Sequence, residues 1–357
     1  MGRIQLKVCV PTQTQYLNSM TIFLRDDIEF LKTPPSKYAQ KTTIQHWQLR
    51  DLIACPTSRK EVLYVSQNTV KLLNTDTQRA SDVLENLSFS PTSMTTGCGY
   101  LAAGGQRSQL VVRDLNSSWH VQTTVGGSIN NAMCISNHAG STRLLICNND
   151  KTIKILSLPD LRRVSNISLP TAVNYASVSP DGRKLLAVGD TSEVFLFNIS
   201  AGGQYERINV MNATNDAGFS CSWNQSSERF AVASQDGFVS VWDIRSSEKL
   251  AQISSKQARR DVNPQVKGAC RCVKFSNTGS IDLLLFSEHI SYINVVDART
   301  FDSRQSICVT PPDIDQHISG ISFSPDSSTV FVGTESSILK YDVNTLLRRT
   351  FPDGSLN

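Results

Sequence analysis

Phe230-Ala231-Val232-Ala233-Ser234-Gln235-Asp236-Gly237-Phe238-Val239-Ser240-Val241-Trp242-Asp243 reads as a strand, an Asp-Gly hairpin turn and a second strand. Upstream, Phe219-Ser220-Cys221-Ser222-Trp223 alternates and supplies another strand, and Leu250-Ala251-Gln252-Ile253 follows as a fourth. The same layout recurs along the chain. Residues aligned with Asp243 are Asn74, Asp114, Ser157, Asn198, Asp297 and Asp342, at successive spacings of 40, 43, 41, 45, 54 and 45 residues. Turn signals precede them at Ser90-Pro91, Ser136-Asn137, Ser179-Pro180-Asp181-Gly182, Asn224-Gln225, Ser276-Asn277 and Ser324-Pro325-Asp326, where a hairpin needs a fixed or positive φ.

Four short strands per unit, the third ending in Trp-Asp, resemble a blade of the WD-repeat family, whose repeat is about 40–45 residues. Seven markers predict an all-β fold: one seven-bladed β-propeller of four-stranded antiparallel blades. The resemblance covers roughly residues 42–351; residues 42–357 are assigned to the propeller and 1–41 to an N-terminal extension able to contribute a strand. Only the fifth repeat keeps a true Trp-Asp, and the Gly-His that opens family repeats is missing. Of the family's hydrogen-bonded tetrad, Ser234, Asp236 and Trp242 match and no histidine does, so packing must do more of the work. Asp243, Asp297 and Asp342 are the other structural positions. For ring closure, Leu346-Leu347-Arg348-Arg349-Thr350-Phe351 reads as the outer strand of the seventh blade, with Ser19-Met20-Thr21-Ile22-Phe23-Leu24 as a competitor. A second, fainter resemblance, on His317 through Pro325 and Gly333-Thr334-Glu335, is to uncharacterised fungal WD-repeat proteins.

The chain has 357 residues, 39% hydrophobic and 18% charged, which suits a packed globular protein. Its apolar runs, such as Leu283-Leu284-Leu285-Phe286, are strand-sized, so no membrane partner is expected. The N-terminus lacks the apolar core of a secretory signal, and Leu6 breaks the myristoylation pattern. Thirty-five basic against 31 acidic residues leave a net charge of +4, too balanced to argue for nucleic acid. Nine cysteines with no CxxC pair fit buried thiols in a reducing compartment, hence a cytoplasmic or nuclear location. With no secretory signal expected, the six Asn-x-Ser/Thr sequons read as chance in a Ser- and Asn-rich chain.

Gly97-Cys98-Gly99-Tyr100-Leu101-Ala102 matches a dinucleotide fingerprint in spelling, but a strand follows where a helix is required, so no cofactor is expected. Cys270 and Cys272 flank Arg271 within a strand and are read as two buried thiols pointing to one face, not a metal site. The histidines (His46, His120, His138, His289, His317) are scattered, and no catalytic constellation follows from spacing.

Trp242-Asp243-Ile244-Arg245 resembles the box of substrate receptors of cullin–RING ubiquitin ligases, which implies that Arg245 meets a ligase adaptor; Val296-Asp297-Ala298-Arg299 echoes it. The long interval before the sixth marker carries Lys256, Arg259, Arg260 and Lys267 against one acid, Asp261. It reads either as a basic contact loop for an acidic partner or as a solvated linker. Arg162-Arg163 and Arg348-Arg349 read as solvent decoration. The expectation is a non-catalytic scaffold or adaptor for other proteins, monomeric outside its complex. The alternatives are a ligase substrate receptor and a small-ligand or enzymatic site in the central channel.

Overall fold

Residue alternation and tight turns fold into seven four-stranded antiparallel sheets arranged as a seven-bladed β-propeller. The computed structural model describes residues 25–349, other than 27, 49, 257–267 and 312–313. In the fifth blade, Gly218–Trp223 is the inner strand, followed outward by Arg229–Ser234, Phe238–Asp243 and Glu248–Ser254. The turn between its two central strands places Gly237 at φ 82°, a left-handed conformation that costs glycine nothing.

Six of the seven repeat markers close the third strand of their blade; Asn198 stands next to last in Glu193–Ile199. Four of them cap the turn that follows. Asn74 Oδ1 accepts from the Asp76 and Thr77 amides, Asp114 Oδ1 from Asn116, Asp243 Oδ1 from Arg245, and Asp297 Oδ1 from Arg299. An Asx turn explains why this position is legible even where the tryptophan is lost.

The core is divided. Among the described residues, seven apolar clusters occupy the seven junctions between neighbouring blades. With the Gly-His dipeptides absent, this burial is what joins blade to blade.

The ring closes from the other end of the chain. Ser36–Tyr38 pairs antiparallel with Ile338–Asp342 as the outer strand of the seventh blade, in the register Ser36↔Lys340, Lys37↔Leu339, Tyr38↔Ile338. Leu346 to Arg349, read as that strand, instead belongs to a short helix, Thr345–Arg349, because the edge it would pair with is already taken. Thr350, Phe351 and the competitor Ser19–Leu24 lie outside the described residues. Arg348 is likewise not solvent decoration. It is buried, donates from Nη1 and Nη2 to the Asp297 carboxylate at 2.7 and 2.9 Å, and donates from Nε to the Ile281 carbonyl. A guanidinium taken out of water needs such a partner. Arg162 and Arg163 are exposed.

The segment before the closing strand is tied down too. Phe30 and Leu31 enter the cluster between blades six and seven, Leu31 exchanges backbone hydrogen bonds with the Gln305 amide, and Asp26 pairs with the fully buried Arg304 at 3.1 Å.

The cysteine reading needs one correction. Cys270 and Cys272 are both buried but face opposite neighbours: Cys270 packs between blades five and six, Cys272 between six and seven. A β-bulge breaks the register between them, pairing Cys270 with Glu288 and Cys272 with Ser287, so the period-2 rule fails at Arg271.

Leu31 is fully buried, so Leu31→Ala should destabilise the protein by about 2–5 kcal/mol. Denaturant midpoints measure this. An unchanged midpoint would mean that the N-terminal segment does not hold the ring shut.

Candidate interaction surfaces and the central channel

The inner strands surround a channel whose two ends differ. The turns that follow the inner strands open onto a cavity of about 460 Å³, lined among others by Asp51, Cys98, Asn116, Lys274 and Asn277. At its inner end, Lys274 Nζ donates to Asp51 Oδ1 at 2.9 Å and the Tyr175 hydroxyl donates to Asp51 Oδ2 at 3.0 Å. Three blades thus meet on one carboxylate. Burial opposes the Lys274 ammonium, but Asp51 overrides it and the pKa ends above the ordinary lysine value. Burial, then Asp51, pushes the Tyr175 phenol well up, so it stays a donor at neutral pH. The arrangement is a strut across the channel, with its charges cancelled. Among the described residues, no group of three His, Cys, Asp or Glu side chains is placed to hold a metal.

The other end is closed by side chains that the inner-strand bulges turn inward. Register shifts at the start of the inner strands of blades three to seven leave Asn131, Asn174, Phe219, Arg271 and Ser319 as the extra residues. Asn131 donates to the Val173 carbonyl of the next blade and Asn174 to the Gly218 carbonyl of the one after, stapling blades three, four and five. Arg271 Cζ lies over Phe219, 4.1 Å from its ring centroid, and 5.8 Å from that of Trp47. Its Nε donates to His289 Nδ1 at 3.1 Å. Burial, then Arg271, lowers the His289 pKa to about 3, so this imidazole is neutral and free to accept. Burial, then Arg50, lowers Arg271 to about 9, still charged at neutral pH. Over this buried layer Trp47 stands 63% exposed, its ring stacked on His46.

Sequence reasoning did not single out Trp47, Arg50 or Arg271. Trp47 and Arg50 sit in an irregular stretch with no pattern to read, and Arg271 looked like an ordinary strand residue between two cysteines.

The residues it did single out fall on both faces. Arg245 follows the third strand of blade five, on the cavity side, with its side chain 64% exposed. Its Nη2 lies 2.9 Å from Asp243 Oδ2, Nε 3.2 Å from Oδ1, and Nη1 3.1 Å from Glu228 Oε1. The Arg245 guanidinium and its backbone N–H hold the Asp243 carboxyl down at about 2. Lys256 follows the outer strand and so lies on the opposite, plugged side. Its amide donates to the buried Glu288 at 2.6 Å, and its Nζ is 3.7 Å from Asp26. Arg259, Arg260 and Lys267 lie outside the described residues.

Of the tetrad matches, Ser234 and Asp236 are joined by the Asp236 amide donating to Ser234 Oγ at 3.4 Å, and the Trp242 indole joins neither. Ser234 Oγ donates to the Asp216 carbonyl, and Asp236 accepts from the Asn215 and Phe238 amides. Trp242 is half-buried, stacked on Phe230 at 6.5 Å and 8°, with Lys249 Nζ 5.3 Å above the ring and no partner for its indole nitrogen. Asp342 is exposed at the end of its strand, and Asp297 anchors Arg348.

Known proteins resemble these parts unequally. Residues 212–243, the first three strands of blade five, match the family described as WD domain, G-beta repeat. Residues 268–308, which span blade six, match an uncharacterised protein domain (DUF2415). The chain is 32% identical over 342 residues to "Uncharacterized protein C4G3.03" of Schizosaccharomyces pombe, a match spanning 90% of this chain and 94% of that protein. It is 27% identical over 225 residues to "Uncharacterized protein YLR149C" of Saccharomyces cerevisiae, spanning 52% of this chain and 30% of that one. A chain in the crystal structure of the Mitotic Checkpoint Complex superimposes with a TM-score of 0.70, covering 96% of this chain and 99% of its own. At 12% identity this is a likeness of fold alone.

Two mutational outcomes follow. Trp242 packs by stacking and donates no hydrogen bond, so Trp242→Ala should cost about 3 kcal/mol, the low end for a half-buried aromatic, and Trp242→Phe clearly less. Equal losses in denaturant unfolding would show that the indole N–H matters after all. Lys274→Met should cost about 3 kcal/mol by stranding Asp51, and adding Asp51→Asn should recover part of it. A double variant as unstable as the sum of the singles would show that the two charges are not coupled.

Proposed function

Because the chain belongs to the WD-repeat β-propeller family, alongside the uncharacterised fission-yeast protein, we propose that it is a protein-interaction scaffold whose partner docks on the plugged face. One observation carries this reading: an exposed tryptophan, Trp47, stacked on His46 and lying over the buried Arg271. Large exposed aromatics on rigid supports are the anchors of protein interfaces, because they bring contact area with little rotamer entropy left to lose. The chain order offers a second element for this reading. The insertion with Arg259, Arg260 and Lys267 leaves an outer strand and enters an inner one, as does the Trp47 segment, so both are rooted at one end of the blades. An aromatic anchor together with a basic segment suits a partner with an acidic rim.

The ligase-receptor reading calls for the opposite face. What favours it is that Arg245 is exposed and held in one orientation by Asp243 and Glu228, as a recognition arginine would be.

Affinity purification of the tagged full chain, followed by mass spectrometry, separates the two. Trp47→Ala and Arg259→Glu/Arg260→Glu should each deplete the same partner set while Arg245→Ala keeps it. Loss of a ligase adaptor with Arg245→Ala alone would instead establish the receptor reading. Partners retained by every variant would exclude both surfaces.

A further inference from the structure

We infer that the open cavity, on the side of the ring away from Trp47, is a second binding site, which takes an extended, uncharged segment of a partner polypeptide with one apolar side chain inside the cavity. It lies on the opposite face from the docking surface proposed above and does not depend on it.

The first blade leaves room for this site. Its inner strand, Ile53–Ala54, has two residues, whereas the other six inner strands run from five to nine. The chain then leaves the ladder: the Cys55 amide donates to Ser322 Oγ of blade seven, and Pro56 has no N–H to donate. A wall that stops short opens the cavity of about 460 Å³ between blades one, two, six and seven. Thr57 and Pro325 also line a second cavity of about 290 Å³, walled by Arg59 and Lys60 on one side and Asp326 on the other. The two form one trough between blades one and seven. An open, elongated space suits a chain segment, whereas a small molecule is held in a pocket that buries most of it.

The lining sets the chemistry. Met94, Leu115, Phe275 and Phe323 supply apolar surface. The charged residues of the larger cavity are Asp51 and Lys274, which answer each other. A charged ligand group would lose its hydration there and meet no net charge in return. What the lining leaves open is chiefly donors. One of the three Lys274 N–H groups goes to Asp51; the other two have no protein acceptor among the described residues, and the side chain keeps 28% exposure. The Thr57 amide and the Thr95 and Thr96 hydroxyls likewise make no hydrogen bond among the described residues. Both Asp51 oxygens are engaged. Spare donors call for carbonyl oxygens, which an extended peptide presents along its length. Apolar area and hydrogen bonds, rather than charge, supply the binding.

The test selects a random-peptide phage library on the full chain carrying Cys9→Ser and Cys308→Ser, before and after alkylation of Cys98 with a bulky maleimide. Cys98 is exposed and lines the cavity, so the adduct covers its mouth. The open protein should enrich peptides with an apolar residue in an uncharged stretch. In titration calorimetry their affinity should fall about tenfold or more on alkylation, on replacing the apolar residue by alanine, and in Lys274→Met, and stay unchanged in Trp47→Ala. Alkylation needs no destabilising substitution, so the result stands even if Lys274→Met does not fold. No enrichment, selection for charged peptides, equal binding to the alkylated protein or to folded Lys274→Met, or dependence on Trp47 would each overturn the inference.

Discussion

Every blade but the seventh is built from one continuous piece of chain, so the ring depends on three residues, Ser36–Tyr38, reaching the edge of Ile338–Asp342. Such a pairing carries the largest loop-closure entropy in the molecule and a short ladder to offset it. The supporting contacts are placed accordingly. Phe30 and Leu31 fill the junction of blades six and seven, Arg25 and Asp26 bind Asp302 and Arg304, and the C-terminal helix returns Arg348 to Asp297. Residues 25–31 and the short helix thus both clamp blade six. The channel inherits this constraint, since Asp51 of blade one reaches Lys274 of blade six and Tyr175 of blade four only in a closed ring.

One backbone device yields several chemistries at the plugged end. Blades three to seven share the bulge, and its extra residue varies: two asparagines staple adjacent blades, a phenylalanine makes a platform, and an arginine lies on it. A bulge re-aims one side chain without disturbing the strands on either side. Residues that face their neighbours in a regular strand can therefore be turned toward the axis one at a time.

How much of this was legible depended on range. The blades were readable because their signals are local: alternation, turn residues, and an Asx cap after four of the third strands, which explains why Asn74 and Asp114 mark blades as well as Asp243 does. Closure was misread because Leu346 and Leu347 carry strand-like apolarity, and nothing local says that residues 36–38 already occupy the edge. Arg348 was misread for the same reason: its partner, Asp297, lies 51 residues away. Parity at Cys270 and Cys272 failed because a bulge has no sequence marker of its own. Among the site residues, Arg245 is exposed, whereas Arg271 carried no sign of being the plug.

The two faces of the ring differ in what they leave for a partner to supply. On the cavity side, charges are answered internally: Lys274 by Asp51, Arg245 by Asp243 and Glu228. A partner there displaces existing pairs and gains little net Coulomb energy. On the plugged side, the Trp47 indole stands in solvent over Arg271 and offers apolar area. Binding there adds contacts at little further entropic cost, which is the physical reason to weight that face.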